Sequence, residues 1–463
     1  MKIVFFMLML TFGIYPAIAQ HEHHNMEGMK HDSTSHSQKD SSYTEHMHHE
    51  DMPVMTHSFS RNLPMNRNGS GTSWLPDATP MYAYMKHSGK WSYMIHGSVF
   101  LRQNWQNLNN NYIRGGKKFD APNWFMGMAQ REIGKKGLLS FHLMMSLDPL
   151  TLGNDGYPLL FQSGESYQGR PLIDRQHPHD LFSEVSVGYT HMINKDMDVF
   201  GYIGYPGEPA IGPTAFMHRI SAFNNPDAPL SHHWQDATHI VFGVATVGLR
   251  YKMFKVEGSS FTGREPDEHR YDFDKPRFDS YSYRISMNPT ANFALQFSQG
   301  WIKSPEQLHP SEDIKRTTAS VIHSKMLNPN SHWTSSLVWG LNDAGGHHKE
   351  HSVLAESNLQ LNRFATYGRY EFVQKSSEEL GLDADAGDPL LADQRFSVHA
   401  ITLGVSYTVY TFLHTNVNAG IQGSLYMPEK TLESIYGKTP FSAQVYIRLT
   451  PSLLMMNKHS MHH

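Results

Sequence analysis

The sequence predicts an all-β fold: an outer-membrane antiparallel up-and-down β-barrel of about sixteen strands, with long extracellular loops folded into the lumen. Three observations lead there. Between Trp91 and Thr450, short runs alternate apolar and polar residues, the period of a strand with two unlike faces. The gaps between runs are long, then short, then long again, as in a meander that crosses a bilayer with tight turns on one side. Aromatic residues make up 12% of the chain and charged residues only 18%, which suits aromatic girdles at two lipid interfaces and leaves no basic excess for nucleic acid.

The candidate strands lie near 92–106, 122–131, 137–147, 183–193, 197–205, 239–252, 255–263, 279–288, 291–302, 314–326, 332–342, 351–361, 364–374, 395–409, 411–425 and 440–450. The fourteenth sets Ile401, Leu403, Val405, Tyr407 and Val409 against Thr402, Gly404, Ser406 and Thr408. The last sets Phe441, Val445, Ile447 and Leu449 against Ser442, Gln444, Tyr446 and Arg448. Apolar residues on one face and polar residues on the other imply lipid outside and a wet or polar lumen. Short connections such as 133–136, 194–196, 288–290, 328–330 and 362–363 carry Gly, Asn, Asp and Pro, the chemistry of turns. An even strand number places both ends of the barrel on the short-turn side, the periplasm. A soluble sandwich or propeller is the competing all-β reading, but no blade-sized repeat is visible.

The flanks are a different material. Residues 1–19 read as a secretory signal, with Lys2, an apolar run and Ala17-Ile18-Ala19 as the cleavage site. Residues 20–70 read as a disordered His/Met-rich tail, 71–450 as the barrel and 451–463 as a second His/Met-rich tail. The chain has no cysteine, hence neither disulfides nor a thiolate site.

The tail offers His21, His23, His24, Met26, Met29, His46, Met47, His48 and His49 as metal ligands. Imidazole suits Zn, Cu and Ni, whereas thioether is a soft ligand that selects Cu(I). The mixture therefore points to copper, Cu(I) or Cu(II), or to silver, bound reversibly. A low-complexity solubilising linker, or a binder of any divalent ion, is the plainer reading.

Two long loops hold the densest polar constellations. The first contains His177, His179 and Asp180; the second contains His218, His232, His233, Asp236 and His239. Loops of this length seldom lack a purpose. They serve either as structural plugs held by ion pairs, as a metal or substrate site built from imidazoles of both loops, or as a catalytic site with Ser183 or Ser231 as nucleophile. No specific motif selects among the three. Arg175, Arg219, Arg264, Arg369 and Arg448, with Glu184, Glu257 and Glu371, read as lumen charges that either tune ion selectivity or stiffen the wall.

The exported leader, the His/Met-rich segment from His21 to His57 and the barrel behind it resemble bacterial outer-membrane copper-resistance proteins. The blocks 73–77, 175–180, 207–209 and 263–267 are not motifs of that family. The resemblance implies a non-enzymatic role in metal tolerance or efflux, with outer-membrane lipid, metal ions and periplasmic metal-handling proteins as partners. Two alternatives stand beside it: a porin-like channel for small solutes, and an outer-membrane hydrolase with a His/Asp site in the loops.

Overall fold

A computed structural model describes residues 59–110, 114–345, 349–382 and 394–454. The signal segment, the proposed ligands from His21 to His49 and the Met/His cluster after residue 454 lie outside the described residues.

The chain forms one closed antiparallel sheet. Its strands are β1 (Tyr84–Ser88), β2 (Trp91–Gln106), β3 (Gly116–Asp120), β4 (Asn123–Ile133), β5 (Gly137–Met145), β6 (Phe182–Asn194), β7 (Met197–Gly204), β8 (Val244–Tyr251) and β9 (Phe254–Phe261). There follow β10 (Ser280–Thr290), β11 (Phe293–Ile302), β12 (Ile314–Asn328), β13 (Ser331–Asp343), β14 (Lys349–Leu361), β15 (Phe364–Ser376), β16 (Arg395–Phe412), β17 (Thr415–Pro428) and β18 (Phe441–Pro451). β18 pairs with both β17 and β2, which closes the cylinder. β3 and β4 pair with successive halves of β2 and act as one span broken at Ala121-Pro122, where proline has no N–H for the ladder. The wall thus has sixteen spans, and β1 is a short arm beside the seam.

All sixteen expected spans are present. The expected run 239–252 starts only at Val244, because His239 belongs to a loop turn. The turn between β16 and β17 sits at Leu413-His414, both at positive φ, a few residues beyond the expected position.

The barrel is inside-out relative to a soluble protein. Leu403 is 65% exposed, while its neighbour Thr402 is buried among other inward polar groups. Ile421, Val445 and Ile447 face outward, and Gln422, Gln444 and Arg448 face inward. Tyr251, Phe254, Phe293, Trp333, Phe364 and Tyr410 are exposed close to the short turns, an aromatic girdle at that rim.

The lumen is filled. Residues 59–83 run inside the barrel, so residues 59–70, assigned to the tail from composition, are ordered. Arg61 reaches the Gly134 carbonyl in a short turn, Thr72 bonds Glu257 at 2.6 Å, and Tyr82 bonds His332 at 2.8 Å. The segment is polar, but the polar inner wall satisfies it, which a composition argument overlooks. Loop 205–243 crosses the middle. Arg219 bridges Asp236 and Glu356 at 2.7 Å each, Asp227 receives Arg102 at 2.6 Å, and Asn224 bonds Asn358 at 2.7 Å. Inward Gly340 allows the close approach: a Cβ there would stand 2.3 Å from the Trp234 carbonyl oxygen. Loop 146–181 covers the long-loop mouth, tied by Asn104 to the Pro158 carbonyl and by Lys375 to Ser163.

Candidate metal centre in the lumen

Local structure sets the imidazoles. Loop 146–181 begins with a one-turn helix, Asp148–Thr151, whose Asp148 accepts the Asn123 backbone N–H at 3.0 Å. Arg175–Gln176 pairs with Tyr157–Pro158, which fixes the extended stretch carrying His177 and His179. In loop 205–243 the one-turn helix His232–Gln235 and the 3-10 turn Ala237–His239 hold His232, His233 and His239.

These five histidines form a closed ring. Centroid separations are 6.0 Å for His177–His179, 5.5 Å for His179–His239 and 5.0 Å for His239–His232. His232–His233 at 5.3 Å and His233–His177 at 5.7 Å complete it.

Each ring is anchored through Nδ1. His179 donates to Asp148 at 2.8 Å, His232 to the Asp236 carboxylate at 2.6 Å and His239 to the Asp236 carbonyl at 2.9 Å. His177 Nδ1 lies 3.1 Å from Glu165, and His233 Nδ1 lies 3.5 Å from Glu265. Conversely, Nε2 of His177, His179, His233 and His239 is buried without a hydrogen-bond partner. A carboxylate or carbonyl behind one nitrogen fixes the tautomer and leaves the other lone pair free, the arrangement behind metal-bound histidine. Burial holds His177 and His239 well below the usual imidazole range, and neighbouring His233 and His232 act in the same direction. Burial also lowers His232, against the pull of Asp236. These rings are therefore neutral, ligand-competent bases at pH 7. Asp236 is lowered as well, but for another reason: burial alone would raise it, and Arg219 and His232 outweigh burial.

Gly164 shapes the edge of the ring. Its φ is +130°, and a Cβ there would lie 2.4 Å from three atoms of the His233 imidazole. Among the described residues no three histidine nitrogens lie within 4.8 Å of one another. A single ion, with nitrogens at about 2.1 Å, needs donors about 3.5 Å apart, so binding one ion requires the rings to turn inward. The trio that does meet 4.8 Å is Asp267, Asp272 and Asp274, on the outer loop 262–279.

On the long-loop side, His233 opens onto a cavity of about 380 Å³ lined by Glu265, Glu306, Glu312, Glu350, Glu378 and Glu379. Burial, reinforced by Glu379 and Glu265, pushes Glu306 up to about 8. Glu165 is likewise raised to about 8 by burial, although Arg270 pulls it down. Both carboxyls therefore keep their protons at neutral pH, and Arg316 and His309 share the lining with the other glutamates.

Of the barrel residues expected to form a site, His177, His179, His232, His233 and His239 come together. Asp236 serves as anchor. Asp180 turns away to Arg270 at 3.3 Å. His218 packs elsewhere, on His96 and Trp124. Ser183 donates to the Asp180 carbonyl at 3.3 Å, and the Ser231 hydroxyl has no partner, so neither serine is bonded to an imidazole. Of the expected lumen charges, Arg219, Arg369 and Glu257 form wall and plug ion pairs, whereas Arg175 bonds Asp155 and Arg264 bonds Ser304 in outer loops. Of the anchors, Glu265 falls in the block 263–267 that stands out in the sequence, whereas Asp148 and Glu165 carry no signal of their own.

No protein-family profile matches the chain, and neither does any curated protein, so the resemblance to copper-resistance proteins has no family match behind it. Among solved structures the chain is similar to Salmonella typhi OmpF in complex with daunomycin, with 11% identity over 79% of this chain and 100% of that one and a TM-score of 0.48. It is also similar to an anion-selective porin from Comamonas acidovorans (12% identity, 78% and 99% covered, TM-score 0.44) and to Pseudomonas putida OprB at high pH (10%, 78% and 94%, 0.45).

Proposed function

We propose that this protein is an outer-membrane barrel that binds a transition-metal cation in its lumen, at the five-histidine ring, and serves metal handling at the cell envelope. The supporting observation is the set of four buried, partnerless Nε2 atoms, each on a ring whose Nδ1 is anchored. The glutamate-lined vestibule at the long-loop mouth gives a cation a path to His233. In this reading both chain ends lie in the periplasm, where the His/Met tail collects copper or silver and passes it to periplasmic partners. The test is metal analysis of protein taken directly from membranes, intact and with His177→Ala/His239→Ala. Retention of less copper, zinc or nickel by the variant supports the ring; equal metal in both removes it. Comparison with a chain lacking the tail separates tail-bound from lumen-bound ions.

The second reading is a channel for small solutes. It is favoured by the wall, since barrels of sixteen strands can enclose an aqueous channel. Opposing it, residues 59–83 and 205–243 occupy the interior. Planar-bilayer recording separates the two: large steady currents favour the channel, near silence the plugged barrel.

A further inference from the structure

A second ligand set lies nearer the short-turn rim, and nothing in the histidine ring accounts for it. Adjacent strands place inward side chains in two cross-strand rows. One row runs Met94, Met128, His142 across β2, β4 and β5; the other runs His96, Met126, Met144. Directly opposed residues on one sheet face hold their Cβ atoms about 5 Å apart, so thioethers and imidazoles share one surface. Met65 from the lumen segment and Met217 from loop 205–243 pack onto it.

Methionine is a common gap-filler, and a core explanation must be weighed first. Two facts count against it. Among the described residues the other four buried apolar clusters contain no methionine, so the buried methionines are concentrated here. The methionines are also interleaved with histidines whose nitrogens are not spent: Nε2 of His96 and of His142 is buried without a partner. His218 is buried at the same cluster, 5.4 Å from the His96 ring centroid. A cavity of about 80 Å³ opens between these groups.

We propose that this checkerboard binds a soft monovalent d10 cation, Cu(I) or Ag(I), through the thioethers of Met94, Met126 and Met128 and the imidazole of His96. Thioether donors discriminate for such ions and against zinc, calcium and magnesium. The site is separate from the histidine ring and does not depend on it. It differs in metal class, since the ring offers only nitrogen donors.

The test uses full-length protein in detergent, labelled with ¹³C-methyl methionine and titrated with silver nitrate. The resonances of Met94, Met126 and Met128 are identified by their disappearance in Met94→Leu, Met126→Leu and Met128→Leu, substitutions that keep volume and apolarity. Silver is expected to shift all three, while zinc leaves them in place. Stationary resonances at these positions, while methionines elsewhere in the chain respond to silver, overturn the proposal. Anomalous diffraction from silver-soaked wild-type crystals gives a check that needs no variant. A silver peak between β2 and β4 supports the site, and silver peaks confined to other places refute it. Loss of metal at the histidine ring alone leaves these readouts unchanged, so the two sites fail independently.

Discussion

Arg219 of the lumen loop lies 2.7 Å from Glu356 of the wall, and neither side chain is reached by solvent. The pair fastens the middle of loop 205–243 to β14. Removing Glu356 leaves Arg219 with Asp236 alone and takes from Arg369 the carboxylate it shares, a break in a buried network that costs about 3–5 kcal/mol. Glu356→Gln is therefore expected to loosen the loop while the wall, held by its own ladders, persists. Single-channel recording checks this. The intact protein should be nearly silent and the variant should show openings; equal silence in both would mean that the loop is held adequately elsewhere.

Asp148 supports His179 from behind and contributes no donor to the ring centre. Replacing such a supporting carboxylate costs about ten- to hundred-fold in metal affinity in known sites. Asp148→Asn is expected to weaken binding of a divalent ion by that order, without loss of β-sheet signal. Competition with a chromogenic chelator measures it.

Gly164 gives a steric counterpart. Alanine there meets the His233 ring at 2.4 Å and also adopts a φ of +130°, which side chains with a Cβ rarely tolerate. Gly164→Ala should displace His233 and reduce metal retention, whereas Gly169→Ala, at positive φ with nothing within 4 Å, should retain the metal. Metal content of the two variants, measured side by side, decides whether the packing or the backbone matters.

Glu306 yields a pH prediction. Its carboxyl is raised from 4.5 to about 8 by burial and by Glu379, Glu265, Glu378 and Glu312. Between those values the folded chain keeps a proton that the unfolded chain releases. Its contribution to stability is thus complete below about pH 4.5 and is lost as the pH rises through 8. Melting temperature should fall across that interval, and Glu306→Gln, which cannot ionise, should flatten the fall. An unchanged slope in the variant would assign the dependence to other groups.

Much of the wall was legible in the sequence because lipid outside and polar groups inside impose a strict period of two. Ile401, Leu403 and Val405 could be assigned a face without coordinates. β3 was missed because Gly116-Lys117-Lys118 carries no such pattern and Pro122 interrupts the span. The lumen segment was missed because Ser60 and Thr72 gain their partners, Asp198 and Glu257 of the wall, only after the barrel exists. The histidine loops were conspicuous by length and composition. Their grouping depended on two short turns that place His232 and His239 in the ring and leave His218 on the other cluster. The Met/His rows carried a usable signal, since Met94 and His96, Met126 and Met128, and His142 and Met144 are each two residues apart on an inward face.

The 3-10 turn Phe216–His218 touches both ligand sets: Phe216 packs against His232 at 5.3 Å, while His218 packs against Trp124 at 4.8 Å. One three-residue turn is therefore a shared wall between the two chambers. A substitution at Phe216 consequently reaches the His232 ring directly, while the same short turn carries His218 to Trp124.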